Sequence, residues 1–249
     1  MLLDNGLAVL SISAPVMGRV ETVHPVLLRD EGTAVLIDAG YPGQLDQLKS
    51  EIERCGVPLA RIRHVLITHQ DIDHIGGLPA LIAACQDAGP IEIAAHALEK
   101  PYIEGERRLL RFTDEAIASV DRMPSSVPES FKQGLKAIML NPPSAPVART
   151  VAGGDKLPWC GGIAVVDTPG HTPGHISLYH EPSRTLIAGD ALTVRDGELC
   201  GPDPETTLDR KLAAESLRQL SAYPIDAVVC YHGGLYKGDA NRRIAELAK

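Results

Sequence analysis

The stretch Thr68-His69-Gln70-Asp71-Ile72-Asp73-His74-Ile75-Gly76-Gly77 decides the architecture of this chain, because it places four potential metal ligands within six residues. It follows directly on the apolar run Val65-Leu66-Ile67, which predicts a buried strand. The carboxyl end of a strand is a common position for a site in an open α/β sheet. The two glycines allow a tight turn beyond the cluster, and imidazole together with carboxylate suits Zn²⁺, Mn²⁺ or Fe²⁺. The stretch therefore predicts a metal site.

The bulk composition limits the class of protein. The chain has 249 residues, of which 44% are hydrophobic and 22% charged, and this is typical of a soluble globular protein. A net charge of −8 argues against a general nucleic-acid surface, which needs clustered lysines and arginines. We expect no membrane span and no signal peptide, since no apolar stretch is long enough and the first residues lack a basic region. Five scattered cysteines without a CxxC pair favour reduced thiols in a cytoplasmic protein.

The apolar pattern along the chain predicts an α/β arrangement. Apolar strands alternate with helices in the first part, as in the strand over residues 34–38 and the helices over residues 45–55 and 78–88. After Asp155 strands dominate, and a helix is expected over residues 208–220.

The alternation stops between about residues 97 and 146, where we expect a helical insertion rather than a separate domain. This segment is charged at first, which predicts a helix over residues 99–121, and then rich in Pro and Ser, which predicts loose connections. It contains both phenylalanines, Phe112 and Phe131. They either line a pocket or dock the insertion on the main body.

Three further apolar strands run straight into a histidine or an aspartate. They lead to His171, Asp190 and His232. If these strands end at one edge, seven side chains converge there: His69, Asp71, Asp73, His74, His171, Asp190 and His232. Four imidazoles and three carboxylates can hold two divalent ions, and the cations would relieve the repulsion between the carboxylates.

These residues resemble the pattern of the metallo-β-lactamase-fold hydrolases, T-H-x-H-x-D-H-x-G-G followed by Pro-Gly-His, Gly-Asp and a late His. The corresponding segments are residues 68–77, Pro169-Gly170-His171, Gly189-Asp190 and His232, in the same order. The run over residues 167–175 is similar to that of glyoxalase II thioesterases and acyl-homoserine lactonases. The resemblance covers about residues 7–235. It implies an α/β fold, a four-layer αββα sandwich of two mixed β-sheets flanked by helices, as a single domain over residues 1–249.

The resemblance also implies how the seven residues share two ions. Site one would consist of His69, Asp71 and His171, and site two of Asp73, His74 and His232, with Asp190 as the bridge. The chain departs from the family at Asp71, where the pattern has its second histidine. The extra carboxylate makes site one harder and favours Mn²⁺ or Fe²⁺ more than an all-imidazole site does, although zinc still binds tightly. We expect two divalent ions, zinc first, with single occupancy as an alternative.

The implied chemistry is metal-assisted hydrolysis of a small molecule, a carbonyl ester, thioester or lactone. The ions would lower the pKa of a water from about 15.7 toward about 7. Asp73 is the predicted catalytic residue and would carry a proton to the leaving group. Lactonases of the family carry a tyrosine three residues after the bridging aspartate, where this chain has Thr193. Nearby Arg195 either binds an anionic substrate group or is solvated. His175 is expected to support a ligand rather than to be one.

Two functions of other classes stay open. A diiron oxidoreductase on the same scaffold would suit the carboxylate of Asp71, although the 249 residues hold no flavin domain. The chain would be a non-catalytic metal-binding protein if Asp71 made site one unable to support catalysis. The expected partner is a small molecule, without nucleic acid or membrane, and apolar residues of the insertion favour a homodimer.

Overall fold

Two six-stranded β-sheets form the centre of the computed structural model, which describes Met1 and residues 4–249. Across the first sheet the strands are β1 (Leu7–Val9), β4 (Val26–Arg29), β5 (Ala34–Ile37), β6 (Ile62–Ile67), β7 (Glu92–His96) and β8 (Arg149–Val151). Across the second they are β16 (Gly234–Tyr236), β15 (Ala227–Cys230), β12 (Thr185–Gly189), β11 (Ile176–His180), β10 (Ile163–Asp167) and β9 (Lys156–Leu157). Two separate hairpins are β2 (Ile12–Val16) with β3 (Arg19–Val23) and β13 (Thr193–Arg195) with β14 (Glu198–Cys200).

Both sheets are mixed. Strands β5 to β8 pair in parallel in the first sheet, and β12 pairs in parallel with β15 in the second. The remaining pairs within the two sheets are antiparallel. Connections between parallel strands must cross over the sheet, which places helices on its outer face.

Helices connect the strands, and some of them pack on the outer faces of the sheets. The helices are α1 (Leu45–Arg54), α2 (Ile72–Ile75), α3 (Leu78–Cys85), α4 (Lys100–Ile103), α5 (Asp114–Ser119), α6 (Glu129–Leu140), α7 (Arg210–Ser216) and α8 (Ala240–Leu247). Leu48 and Ile52 of α1 pack on the first sheet, and Ile244 of α8 packs on the second. Each such fully buried side chain contributes about 1.5–3 kcal/mol relative to an exposed one.

Alternation along single strands separates the layers. On β5, Ala34 and Leu36 face the helices, whereas Val35 and Ile37 join the core between the sheets. That inner core also receives Val165 and Leu178 from the second sheet. The predicted αββα sandwich is confirmed.

The connection from β7 to β8 contains helices, but their positions differ from those expected for the insertion. The single helix predicted over residues 99–121 is wrong: α4 ends at Ile103, Gly105 takes a positive φ of 77°, and α5 begins only at Asp114. The Pro- and Ser-rich part, expected as loose connections, contains the 12-residue helix α6 directly after Pro128. Phe112 packs on the first core cluster, whereas Phe131 on α6 is 42% exposed.

Candidate metal centre

Four strand ends bring the predicted ligands to one edge of the sandwich. In the second sheet β10, β12 and β15 run in the same direction, because β11 is antiparallel to β10 and β12, and β12 is parallel to β15. Their carboxyl ends lead to His171, Asp190 and His232. In the first sheet β6 leads into the loop that ends in α2. The backbone N–H of Ile176 donates to the Thr68 carbonyl at 3.1 Å, which joins the two sheets beside the cluster.

Each predicted site forms a close group of ligand atoms. In site one, Asp71 Oδ2 lies 3.4 Å from His69 Nε2 and 3.2 Å from His171 Nε2. Both histidines are buried, and neither is more than 1% exposed. The arrangement offers two neutral donors and one charged donor to a single ion.

Site two is built in the same way. Asp73 Oδ2 lies 3.6 Å from His74 Nε2 and 3.2 Å from His232 Nε2. His74 is buried, whereas the His232 side chain is 35% exposed and faces the cavity. Site two is therefore the more accessible of the two groups.

Asp190 lies between the two groups. One of its oxygens, Oδ2, is 3.4 Å from Nε2 of His171 and 3.4 Å from Nε2 of His232, and Oδ1 is 3.4 Å from Nε2 of His74. The structure thus brings together all seven residues singled out in the sequence, and their roles as ligands stay a prediction.

Orphaned atoms show that a divalent ion fits this cluster. Four buried ligand atoms have no hydrogen-bond partner among the residues that the structure describes: His69 Nε2, His74 Nε2, Asp71 Oδ1 and Asp190 Oδ1. Buried polar atoms without partners are costly, and buried carboxylates far more so. Cations bound by nitrogen and oxygen donors would satisfy them, so the donor set suits zinc or a similar transition ion.

The charges of site two also favour binding of a cation. Burial by itself lowers the pKa of His232, but the carboxylates of Asp190 and Asp73 raise it to about 10. Burial also disfavours the charged form of His74, yet Asp38, Asp73 and Asp190 raise its pKa well above the usual value. The negative field responsible is the field that attracts a divalent cation.

Asp38 supports the cluster from behind and was not singled out in the sequence. Its Oδ2 lies 2.8 Å from Nδ1 of His74, while Thr68 donates to both Asp38 oxygens, from its backbone N–H at 2.9 Å and its hydroxyl at 2.8 Å. A histidine whose other nitrogen donates to a carboxylate is fixed in tautomer and orientation. Asp38 directly follows the apolar strand β5, the same pattern that marked the ligands, so the signal was present.

His175 fixes the backbone at Asp190 through a directed chain of hydrogen bonds. The Asp190 N–H donates to His175 Nε2 at 3.0 Å, and so the proton of this imidazole is on Nδ1. That nitrogen donates to the Thr168 hydroxyl at 2.8 Å, Thr168 donates to Ser177 at 2.9 Å, and Ser177 donates to the Ala188 carbonyl at 3.0 Å. Burial holds the pKa of His175 well below its usual value, which keeps the ring neutral as the chain requires.

Glu99 joins two of the ligand loops. Its Oε2 accepts from the backbone N–H of Gln70 at 3.0 Å and from the Gln70 amide at 3.1 Å, and its Oε1 accepts from the Gly174 N–H at 2.7 Å. Glu99 is fully buried, and these three donors balance its charge. No local pattern in the sequence distinguishes Glu99 from the charged residues that follow it.

A cavity of about 480 Å³ opens onto the cluster. Ligand candidates that line it are Asp71, Asp73, His171, Asp190 and His232. Other lining residues include Val16, Thr22, Tyr41, Leu109, Phe112 and Val194, which are mostly apolar or aromatic. Arg111 also lines it, with its guanidinium donating to Asp71 Oδ2 and lying 2.9 Å from His171 Nε2. Nothing in the sequence pattern marked Arg111.

The other residues weighed in the sequence have defined places. Thr193 is buried and its hydroxyl donates to the Gly201 carbonyl at 3.1 Å, so it offers no free donor to the cavity. Arg195 lines the cavity and pairs with Asp203 at 2.7 Å. Cys230 is buried, and burial raises the pKa of its thiol well above the usual value.

Among the residues that the structure describes, no helix has both the length and the apolar character needed to cross a membrane.

Comparison with known proteins places this site in context. The family model described as Metallo-beta-lactamase superfamily matches residues 18–232. The probable metallo-hydrolase YflN of Bacillus subtilis is 30% identical over 220 residues, covering 80% of this chain and 75% of that protein. The hydroxyacylglutathione hydrolase of Buchnera aphidicola is 28% identical over 170 residues, covering 67% of this chain and 45% of that protein.

A solved structure shows the same fold. A metallo-beta-lactamase family protein from Thermus thermophilus superposes with a TM-score of 0.67 at 25% identity, covering 98% of this chain and 78% of that one.

Proposed function

This chain belongs to the metallo-beta-lactamase superfamily and is a metal-dependent hydrolase, and we propose that it cleaves a small carbonyl ester, thioester or lactone. The observation that carries the proposal is the cluster of buried imidazole and carboxylate atoms beside a cavity of about 480 Å³, which Asp71 and Asp190 of the cluster line. A cavity of this size holds a small organic molecule rather than a polymer. The similarity to a hydroxyacylglutathione hydrolase supports an acyl compound as substrate.

The metal-holding residues of the proposal are the seven that converge. His69, Asp71 and His171 would hold one divalent ion and Asp73, His74 and His232 a second, with Asp190 shared. Zinc is the proposed metal, since imidazole and carboxylate donors bind it tightly. When bound, such ions lower the pKa of water and polarise a carbonyl oxygen.

Asp73 is the proposed proton carrier. Its carboxylate lines the cavity beside His232, with Oδ2 3.2 Å from Nε2 of that imidazole. A deprotonated carboxylate at this place can orient the attacking water, accept a proton from it and pass that proton to the leaving group.

The walls of the cavity suggest the shape of the substrate. Leu109 and Phe112 come from the insertion and Val16 from the β2–β3 hairpin, so two separate segments contribute apolar groups to the cavity wall. An acyl chain would pack between them while the carbonyl group lies at the ligand cluster. The Thr193 hydroxyl is bound to a backbone carbonyl and therefore offers no donor to the carbonyl group of a substrate.

The proposal includes a cytoplasmic setting. All five cysteines are free thiols in the structure, with three of them buried. Unpaired cysteines are typical of proteins in a reducing compartment.

A substrate panel with metal analysis tests the proposal. The purified chain is loaded with Zn²⁺ and assayed on a chromogenic ester, a glutathione thioester and a lactone, with the metal content measured on the same sample. Turnover of at least one class with zinc bound is the expected result. A fully loaded protein inactive on all three classes would contradict the proposal, and so would a protein that carries iron and reduces O₂ or NO.

A further inference from the structure

The guanidinium of Arg111 occupies the face of site one that an ion would use. It donates to Asp71 Oδ2 from Nε, and its Nη2 lies 2.9 Å from Nε2 of His171. The two acceptor atoms, Asp71 Oδ2 and His171 Nε2, lie 3.2 Å apart within site one. A guanidinium has only donors and stays charged at all ordinary pH values, so it takes up the lone pair of His171 Nε2 and one lone pair of Asp71 Oδ2 that an ion would otherwise use.

The position of Arg111 is built into the fold. The preceding residue Leu110 donates its backbone N–H to the Gln70 side-chain oxygen at 2.8 Å, and Leu109 is 2% exposed. Gln70 is itself held by the buried carboxylate of Glu99. Since Gln70 stands between His69 and Asp71, the loop that carries the ligands also holds the segment that carries Arg111.

Site two has no such resident cation. In the part of the chain that the structure describes, no lysine or arginine side chain forms an ion pair or hydrogen bond with Asp73, His74 or His232. The difference coincides with Asp71, the one departure from the family pattern. A carboxylate at this place forms a charge-assisted bond with an arginine, which an imidazole would not.

Among the described residues, His171 of site one lacks the partner on Nδ1 that His74 of site two has. Nδ1 of His171 is buried and without a hydrogen-bond partner, whereas Nδ1 of His74 lies 2.8 Å from the Asp38 carboxylate. Ligating histidines are normally oriented by a partner on the other nitrogen. Arg111 therefore supplies the side-chain hydrogen bond that orients the His171 ring, since the guanidinium can only donate and His171 Nε2 accepts.

We propose that Arg111 and a metal ion compete for Asp71 and His171, so that site two fills first and site one fills only when the guanidinium is displaced. This inference rests on the proposed two-ion centre. It assigns Arg111 as a positioning residue that sets the order and affinity of metal binding.

Zinc titration of the metal-stripped full chain against a chromophoric chelator tests the order of filling. For the unchanged chain we expect one tight ion and a second that binds at least about tenfold more weakly, because a like charge at contact distance opposes it. Arg111→Met should tighten the second ion by about tenfold or more, and Arg111→Lys, which keeps the charge, should leave it weak.

Arg108→Met is the matched control. Arg108 lies three residues earlier in the same segment and pairs with the exposed Asp114. Its removal should leave both zinc constants unchanged. If Arg111→Met does not fold, Asp71→His combined with Arg111→Met removes both members of the pair and carries the same expectation of two tight ions.

The proposal is overturned if the unchanged chain binds two ions with equal affinity, or if neither Arg111→Met nor the double variant tightens the second ion. Stepwise zinc binding without hydrolysis of any ester, thioester or lactone would remove the proposed substrate class and leave the competition intact.

Discussion

The carboxylate of Asp38 lies 2.8 Å from Nδ1 of His74, although Asp38 belongs to a loop that delivers no ligand of its own. Asp38 takes a positive φ of 60°, a left-handed conformation that aspartate and asparagine tolerate better than most residues. The turn at this position aims the carboxylate at the back of the imidazole. The ligand face of His74 is thereby fixed before any ion arrives.

Asp38→Asn should weaken metal binding by about 10–100-fold. Asparagine keeps the left-handed backbone, but its amide replaces one of the two oxygens that accept from Thr68 and His74. The measurement is a zinc competition titration of the variant beside Asp87→Asn, a control at an exposed position. Unchanged zinc affinity in Asp38→Asn would show that His74 does not depend on this carboxylate.

Asp73→Asn should reduce turnover on any accepted substrate by about 10²–10⁴-fold, because the amide cannot carry a proton. The variant keeps the size of the side chain, so folding is expected to persist. The turnover number and the zinc content are measured together, which separates loss of proton transfer from loss of an ion. Asp226→Asn is the control, since this exposed residue pairs with Arg184 outside the site. Full activity of Asp73→Asn with zinc bound would remove its assigned role.

Glu99→Gln should lower the free energy of unfolding by about 1–3 kcal/mol. Glu99 accepts three N–H groups from Gln70 and Gly174, and a glutamine amide would direct its own donors at one of them. Urea unfolding of the variant and of Glu106→Gln, an exposed residue of the same segment, gives the comparison. Equal stability of the two variants would mean that the buried link between the loops is not needed.

We expect protonation of His180 to lower the free energy of unfolding in mild acid. Burial lowers the pKa of its imidazole below the ordinary 6.5, so between these two values the unfolded chain binds a proton that the folded chain does not. Stability then falls as the pH falls below about 6.5. His180→Gln, which keeps a donor for the Cys160 carbonyl, should flatten this dependence. Urea midpoints between about pH 5 and pH 8 measure it, and equal slopes for both proteins would exclude His180 as a contributor.

Sequence patterns identified the main strands because their apolar runs are bounded by turns. The predicted strand over residues 34–38 corresponds to β5 (Ala34–Ile37), and the predicted helix over residues 45–55 to α1 (Leu45–Arg54). The hairpins β2–β3 and β13–β14 were missed. Their strands are short and partly exposed, and so they lack the strong alternation of a half-buried sheet. The helix predicted over residues 208–220 is α-helical over Arg210–Ser216 and continues as a 3-10 helix over Leu217–Ala222.

The insertion shows where local pattern fails. Pro- and Ser-rich composition predicted loose connections, yet α6 begins directly after Pro128. Proline is compatible with the start of a helix, so its presence marks a boundary rather than the absence of a helix. The single helix expected before α6 is interrupted near Gly105, which has a positive φ. The segment after this turn carries Arg111, which contacts His171.

The sequence by itself predicted the α/β class and the seven side chains that meet at one edge, because strand ends and metal-ligand spacing are local features that can be read in order. Only the tertiary structure decided which residues surround them. Asp38 contacts His74 across 36 residues of sequence, Glu99 contacts Gln70 across 29, and Arg111 contacts Asp71 across 40. Such contacts form when separate strands and loops meet at one edge of two packed sheets. A short-range pattern can mark a residue such as Asp38 at a strand end, but it does not show which distant residue that side chain contacts.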